Sequence, residues 1–164
     1  MGELTSKALA YQGFYQRLVD ELRERKFTNA RAVQPQNWYS FAAGVSGVTY
    51  ATAFSQQGLR AEIYFQMPER AQNEAAFDAL FAQRTSIEQS FAEALNWERL
   101  EGKKACRIAC YTPGTINDPP DTLDEHRAWL ITRLLKFKAV FGPRLAAVTQ
   151  VVPSVTSGVV IEAT

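Results

Sequence analysis

The sequence predicts an α+β fold in the order α-β-β-β-α-β-β-α, with an antiparallel sheet of about five strands packed against helices. Two observations carry that prediction. Three strand-like segments follow one another through connections of hairpin length. Stretches with apolar residues at helical spacing stand before, between and after the strand-like ones, and there is no internal repeat.

Thr5 or Ser6 can cap the first helix, whose apolar positions Tyr11, Phe14, Tyr15, Leu18 and Leu22 recur at helical spacing. The basic stretch 23–26 closes it, and Gln34-Pro35-Gln36 breaks the pattern because a residue before proline is pushed out of the helical region. Strands are predicted over 37–43, 48–54 and 59–66, with turns at Gly44-Val45-Ser46-Gly47 and Gln56-Gln57-Gly58. In the third, Leu59, Ala61, Ile63 and Phe65 face one way while Arg60, Glu62, Tyr64 and Gln66 face the other.

Pro68 ends that strand, and a second helix is predicted over 70–95 with Phe77, Leu80, Phe81, Ile87, Phe91 and Leu95 as its buried stripe. Segments 96–100 and 104–111 read as a hairpin about Glu101-Gly102, followed by a proline-rich loop at 112–121. Thr122-Leu123-Asp124-Glu125 is a capping box that opens a third helix, carrying Leu123, Leu130, Leu134, Phe137 and Phe141 and stopping at Gly142-Pro143. The expected organisation is one domain over 1–144 and an apolar, Val-rich tail over 145–164. That tail reads either as a loosely held end or as an added strand at a sheet edge, in its own molecule or a partner's.

At 164 residues and 46% hydrophobic, the chain suits a single buried core and excludes intrinsic disorder. No apolar run approaches the roughly 20 residues of a spanning helix, and no charged-then-apolar leader opens the chain, so no membrane partner is expected. Cys106 and Cys110 stand four apart on a strand-like stretch, roughly 13 Å from each other and beyond disulfide reach. Period-two geometry puts both on one face with Ile108, as reduced, buried thiols of a cytoplasmic protein. With His126 the single histidine, the chain holds too few Cys and His ligands for a structural zinc site, and no metal or cofactor is expected.

Motifs for chemistry are sparse. Glu101-Gly102-Lys103 fits the E-x-K half of a metal-dependent nuclease signature, but the upstream acids are Glu62 inside a strand and Asp78 on a helix. Glu-Gly between two strand-like runs is adequately explained as a hairpin turn, and that reading is preferred. Gly44-Val45-Ser46-Gly47 misses the spacing of a nucleophile elbow by one residue, and a strand follows it. A Cys106/His126 pair would be a thiol nucleophile and its base, though nothing in the sequence marks either as activated. No catalytic residue is assigned.

The net charge of +1 hides an uneven distribution. Residues 61–98 carry seven acidic and two basic side chains, while 99–144 carry nine basic and five acidic ones. The hairpin supplies Arg99, Lys103, Lys104 and Arg107, and the third helix aligns Trp129, Arg133 and Lys136 on one stripe beside its core stripe. These seven are the candidate nucleic-acid or partner-binding residues, since cations beside an aromatic suit phosphates and bases or a protein surface. The alternative is that Trp129 packs on the sheet and the cations are merely solvated.

Several strings also resemble a bacterial family known only as a domain of unknown function, found as the C-terminal module of restriction-endonuclease-like proteins. They are Gln34-Pro35-Gln36-Asn37-Trp38, Gly44-Val45-Ser46-Gly47, Leu95-Asn96-Trp97-Glu98-Arg99-Leu100, Gly102-Lys103-Lys104-Ala105-Cys106-Arg107-Ile108, Trp129 and the ending Phe137–Arg144. They span roughly residues 10–144. The resemblance implies a role beside nucleic-acid processing or bacterial defence and carries over no catalytic residue. The nuclease-like half is not in this sequence, so such a nuclease or target would be met in trans.

The expected function is a non-catalytic module contacting DNA, or a protein of a DNA-processing system, through the basic hairpin and third helix. One alternative is an interaction or oligomerisation domain, a homo-oligomer paired through the tail. The other is a small metal-dependent or thiol enzyme using Glu101, Lys103 or Cys106 with His126.

Overall fold

The computed structural model describes the backbone of residues 5–161 and the side chains of residues 5–149. Helix α1 spans Ser6–Glu24, capped by Thr5, whose hydroxyl accepts from the Ala8 N–H at 3.0 Å. It buries Phe14, Tyr15, Leu18, Val19 and Leu22 along one stripe. A meander follows, with β1 at Trp38–Ala42, β2 at Val48–Ser55 and β3 at Gly58–Phe65. Strands β4 at Asn96–Glu98 and β5 at Cys106–Thr112 form a hairpin that joins the meander through β3 and β5. The sheet has five antiparallel strands in the order β1-β2-β3-β5-β4, which is the α+β architecture expected.

The helices lie against one face of this sheet. Leu59, Ala61, Ile63 and Phe65 of β3 point into it and are 0% exposed. Phe54 of β2 meets Phe14 and Tyr15 of α1 with ring centroids at 5.0 and 6.2 Å, and Phe41 of β1 meets Phe27 at 5.4 Å. Cys106, Ile108 and Cys110 share that face on β5 and are buried, as the alternation predicts.

Two helical boundaries differ from expectation. The helix read over 70–95 is two, α2 at Arg70–Phe81 and α3 at Arg84–Phe91, separated by a turn at Ala82-Gln83. Neither glycine nor proline marks that turn. It is held from outside, where the Arg144 guanidinium donates to Gln83 Oε1 at 3.1 Å and to Ser86 Oγ at 3.4 Å. Helix α3 ends where Ala92 turns left-handed at φ 70°, and the Glu88 carboxylate takes up the freed Leu95 N–H at 3.0 Å.

The last helix, α4, runs Pro120–Ile161. It opens two residues before the predicted capping box, with Pro120 at a first-turn position where its missing N–H costs nothing. It also passes through Gly142-Pro143 instead of stopping there. Gly142 lies under the Tyr50 hydroxyl, and beyond the proline Leu145 and Val148 are 1% and 5% exposed in the core. Burial of those side chains outweighs the hydrogen bond that Pro143 cannot make. Residues 145–149, the start of the tail, are therefore helix and not an added edge strand; the side chains from 150 onwards lie outside the described residues.

Candidate functional site

Among the described residues, no helix packs on the second face of the sheet. From β1 it presents Trp38 and Ser40, from β2 Thr49, Ala51 and Ala53, from β3 Arg60, Glu62 and Tyr64, and from β5 Arg107, Ala109 and Tyr111. Ala51, Ala53 and Ala109 are buried yet stand apart from the main hydrophobic core. They form a low floor beneath the larger side chains. Over Ala51 lies a groove of about 310 Å³, bordered by Trp38, Arg60, Glu62, Tyr64 and Arg107.

The strand register explains what fills the groove. Cross-strand pairing sets Tyr64 of β3 opposite Arg107 of β5, and Arg107 opposite Glu98 of β4. Glu62 lies at the centre and is 5% exposed. Its Oε1 lies at ion-pair distance from the Nε of Arg60, 3.0 Å, and from that of Arg107, 2.6 Å. Arg107 also donates through Nη1 to Glu98 at 2.9 Å, and the Tyr111 hydroxyl donates to the other Glu98 oxygen at 2.7 Å. Burial holds the Glu62 carboxyl above the usual carboxylate range, outweighing the opposing pull of Arg60 and Arg107. Trp38 stands at the rim, 50% exposed.

The seven sequence candidates do not form one surface. Arg107 belongs to the groove network. Arg99 is paired to Asp78 at 3.0 Å and Glu74 at 3.6 Å, both on α2. Trp129, Arg133 and Lys136 do come together on α4: the Arg133 guanidinium lies 4.7 Å over the Trp129 ring. Both cations converge on one carboxylate, Glu93, at 3.1 and 3.4 Å. Lys103 and Lys104 are exposed in the β4–β5 turn and make no ion pair among the described residues. The acidic segment 61–98 thus neutralises much of the basic one by folding onto it.

The enzyme candidates are placed apart. Glu101 is exposed in its turn beside Arg99, whereas Glu62 is enclosed by two guanidiniums. Among the described residues no cluster of three His, Cys, Asp or Glu side chains could hold a metal ion. Burial pushes the Cys106 thiol up to about 11, the reverse of activation, and Cys110 up to about 12. His126 is bonded through Nε2 to Asp118 at 2.8 Å, with Gly114 packed against its ring; it ties the loop before α4 to that helix. No helix among the described residues is long and apolar enough to cross a membrane.

The groove residues missed in the sequence are Trp38, Arg60, Glu62, Tyr64 and Tyr111. One signal was available: a glutamate in the middle of an alternating strand, two residues from an arginine on the same face.

The profile of the family described as Domain of unknown function (DUF4268) matches residues 10–145. The chain belongs to that family. The DUF4268 match takes in every strand, both sheet faces and α4 as far as Leu145. Neither a curated protein nor a solved structure matches the chain.

Proposed function

We propose that this chain is a non-catalytic module that binds a protein partner on the open face of its sheet. One observation carries the reading: the face unites Trp38, Tyr64, Tyr111, Arg60 and Arg107 over a floor of small residues, while Glu62 and Glu98 cancel the arginine charge. Tryptophan, tyrosine and arginine are the side chains that dominate protein interfaces. Nucleic-acid binding draws its affinity from unpaired cations that displace counterions. Here Arg99, Arg107, Arg133 and Lys136 are engaged by carboxylates. The resemblance to modules of restriction-endonuclease-like proteins supports, as partner class, a protein of a nucleic-acid-processing or defence system.

A second reading rests on Lys103 and Lys104, which keep a DNA contact open at the β4–β5 turn. Two measurements made side by side separate the readings. In the first, the full chain and its Trp38→Ala variant are baits for affinity capture and mass spectrometry. In the second, fluorescence anisotropy follows binding of a DNA duplex at low and physiological salt. A polypeptide held by the parent and lost with Trp38→Ala is the expected result. Duplex binding that survives physiological salt and disappears in a Lys103→Gln, Lys104→Gln double variant overturns the protein reading.

A further inference from the structure

Resting on the reading of the open face as a protein-docking surface, we propose that its groove takes an asparagine or glutamine side chain of the partner, whose carboxamide donates to Glu62 and accepts from Arg60. The strand register locates the opening. One cross-strand row runs Trp38, Ala53, Arg60, Tyr111 from β1 to β5, and the next runs Ser40, Ala51, Glu62, Ala109. Ala51 of β2 is the floor of the groove, with side chains of β1 on one side and those of β3 on the other. Those two strands are about 10 Å apart, two strand spacings, which admits one column of side chains from a segment lying over β2.

The network around the groove is neutral, because Arg60 and Arg107 balance Glu62 and Glu98. An acidic occupant would meet Glu62 and a basic one would meet the guanidiniums, so an uncharged occupant is favoured. What the network leaves open is hydrogen bonding. The Nε atoms of Arg60 and Arg107 stand 3.0 and 2.6 Å from Glu62 Oε1, yet none of these three buried atoms is in an aligned hydrogen bond. Glu62 Oε2 and the terminal nitrogens of Arg60 enter no hydrogen bond or ion pair among the described residues. Glu62 is 5% exposed and borders the groove, as does Arg60, so an acceptor and neighbouring donors meet there without partners.

A primary carboxamide has the matching edge, an N–H and a C=O side by side on one planar group. A backbone peptide group does not, because its trans geometry points the N–H and the C=O to opposite sides. Trp38, half exposed at the border of the groove, supplies the apolar wall for the stem of the inserted side chain.

The test selects a random heptapeptide display library on the immobilised full chain, in parallel with Arg60→Met and Trp38→Ala, each checked by thermal unfolding. The pool on the parent is expected to be enriched several-fold in Asn and Gln over the starting library, and Arg60→Met is expected to abolish that enrichment. Fluorescence anisotropy then follows binding of the strongest selected peptide to the parent. Exchanging its Asn or Gln for the corresponding acid, or for Leu, is expected to weaken binding about tenfold, because a buried acceptor and its neighbouring donors lose their partner. These exchanges are made in the peptide, so they decide the matter even if Arg60→Met fails to fold. A pool that depends on Trp38 without amide enrichment, or whose amide enrichment persists on folded Arg60→Met, overturns this inference and leaves the docking reading standing. So does a selected peptide that binds equally well after either exchange. A pool no richer than the uncoated control overturns both.

Discussion

The two faces of the sheet use the same strands for opposite ends. On β3, Leu59, Ala61, Ile63 and Phe65 are 0% exposed under the helices. The residues between them, Arg60, Glu62 and Tyr64, face a groove that no helix covers among the described residues. Alternation along one strand therefore assigns neighbouring residues either to holding the fold or to presenting a surface. On the covered face the energetic term is apolar burial. On the open face it is an ion network, which stabilises little because desolvation offsets attraction.

The largest expected effect lies on the covered face. Phe65→Ala removes a fully buried ring and should cost about 3–5 kcal/mol in a denaturant titration. A loss below about 1 kcal/mol would show that the covered face is not the folding core. Next comes the centre of the groove. Glu62→Ala strips two enclosed guanidiniums of their shared acceptor and should cost about 1–3 kcal/mol.

The pH dependence has a sign fixed by Glu62. Its carboxyl is raised above the ordinary value, first by burial, so folding moves its titration to higher pH than in the unfolded chain. That contribution is present below the unfolded pKa and is lost as pH rises through the raised folded value. Asp118 works oppositely: the hydrogen bond to His126 lowers it, so its contribution is present at higher pH and is lost on acidification. Glu62→Gln should therefore remove a stability loss that the parent shows as pH rises above the usual carboxylate range. Parallel stability curves for parent and variant would refute this sign.

The smallest stability effects belong to the rim and the turn. Trp38→Ala, at a half-exposed position, should change stability by about 1 kcal/mol or less while reducing partner capture. Lys103→Gln with Lys104→Gln, both exposed, should stay within about 0.5 kcal/mol and leave protein capture unchanged. Loss of capture in this last variant would move the surface from the groove to the turn.

The architecture was legible because period-two alternation in β3 and β5 and helical spacing in α1 are strong local signals. The open face was not. Ala51, Ala53 and Ala109 are as small and apolar as core residues, and nothing in their spacing shows that no helix covers them. The basic stripe was read correctly as a stripe. Its neutralisation depends on Glu93, forty residues before Arg133, a pairing that only the packing of α3 against α4 creates. The passage of α4 through Gly142-Pro143 was hidden for a related reason. A local stop signal is overridden by burial of Leu145 and Val148, which is a tertiary effect.

The central claim, that one face folds and the other binds, is tested most directly on β1, where Phe41 and Trp38 point to opposite sides. The measurement pairs unfolding free energy with partner capture for Phe41→Ala and Trp38→Ala. The account predicts a loss of about 3–5 kcal/mol for Phe41→Ala, which packs on Phe27 at 5.4 Å. It predicts near-parental stability with lost capture for Trp38→Ala. Equal destabilisation by the two variants, with capture following stability alone, would contradict it.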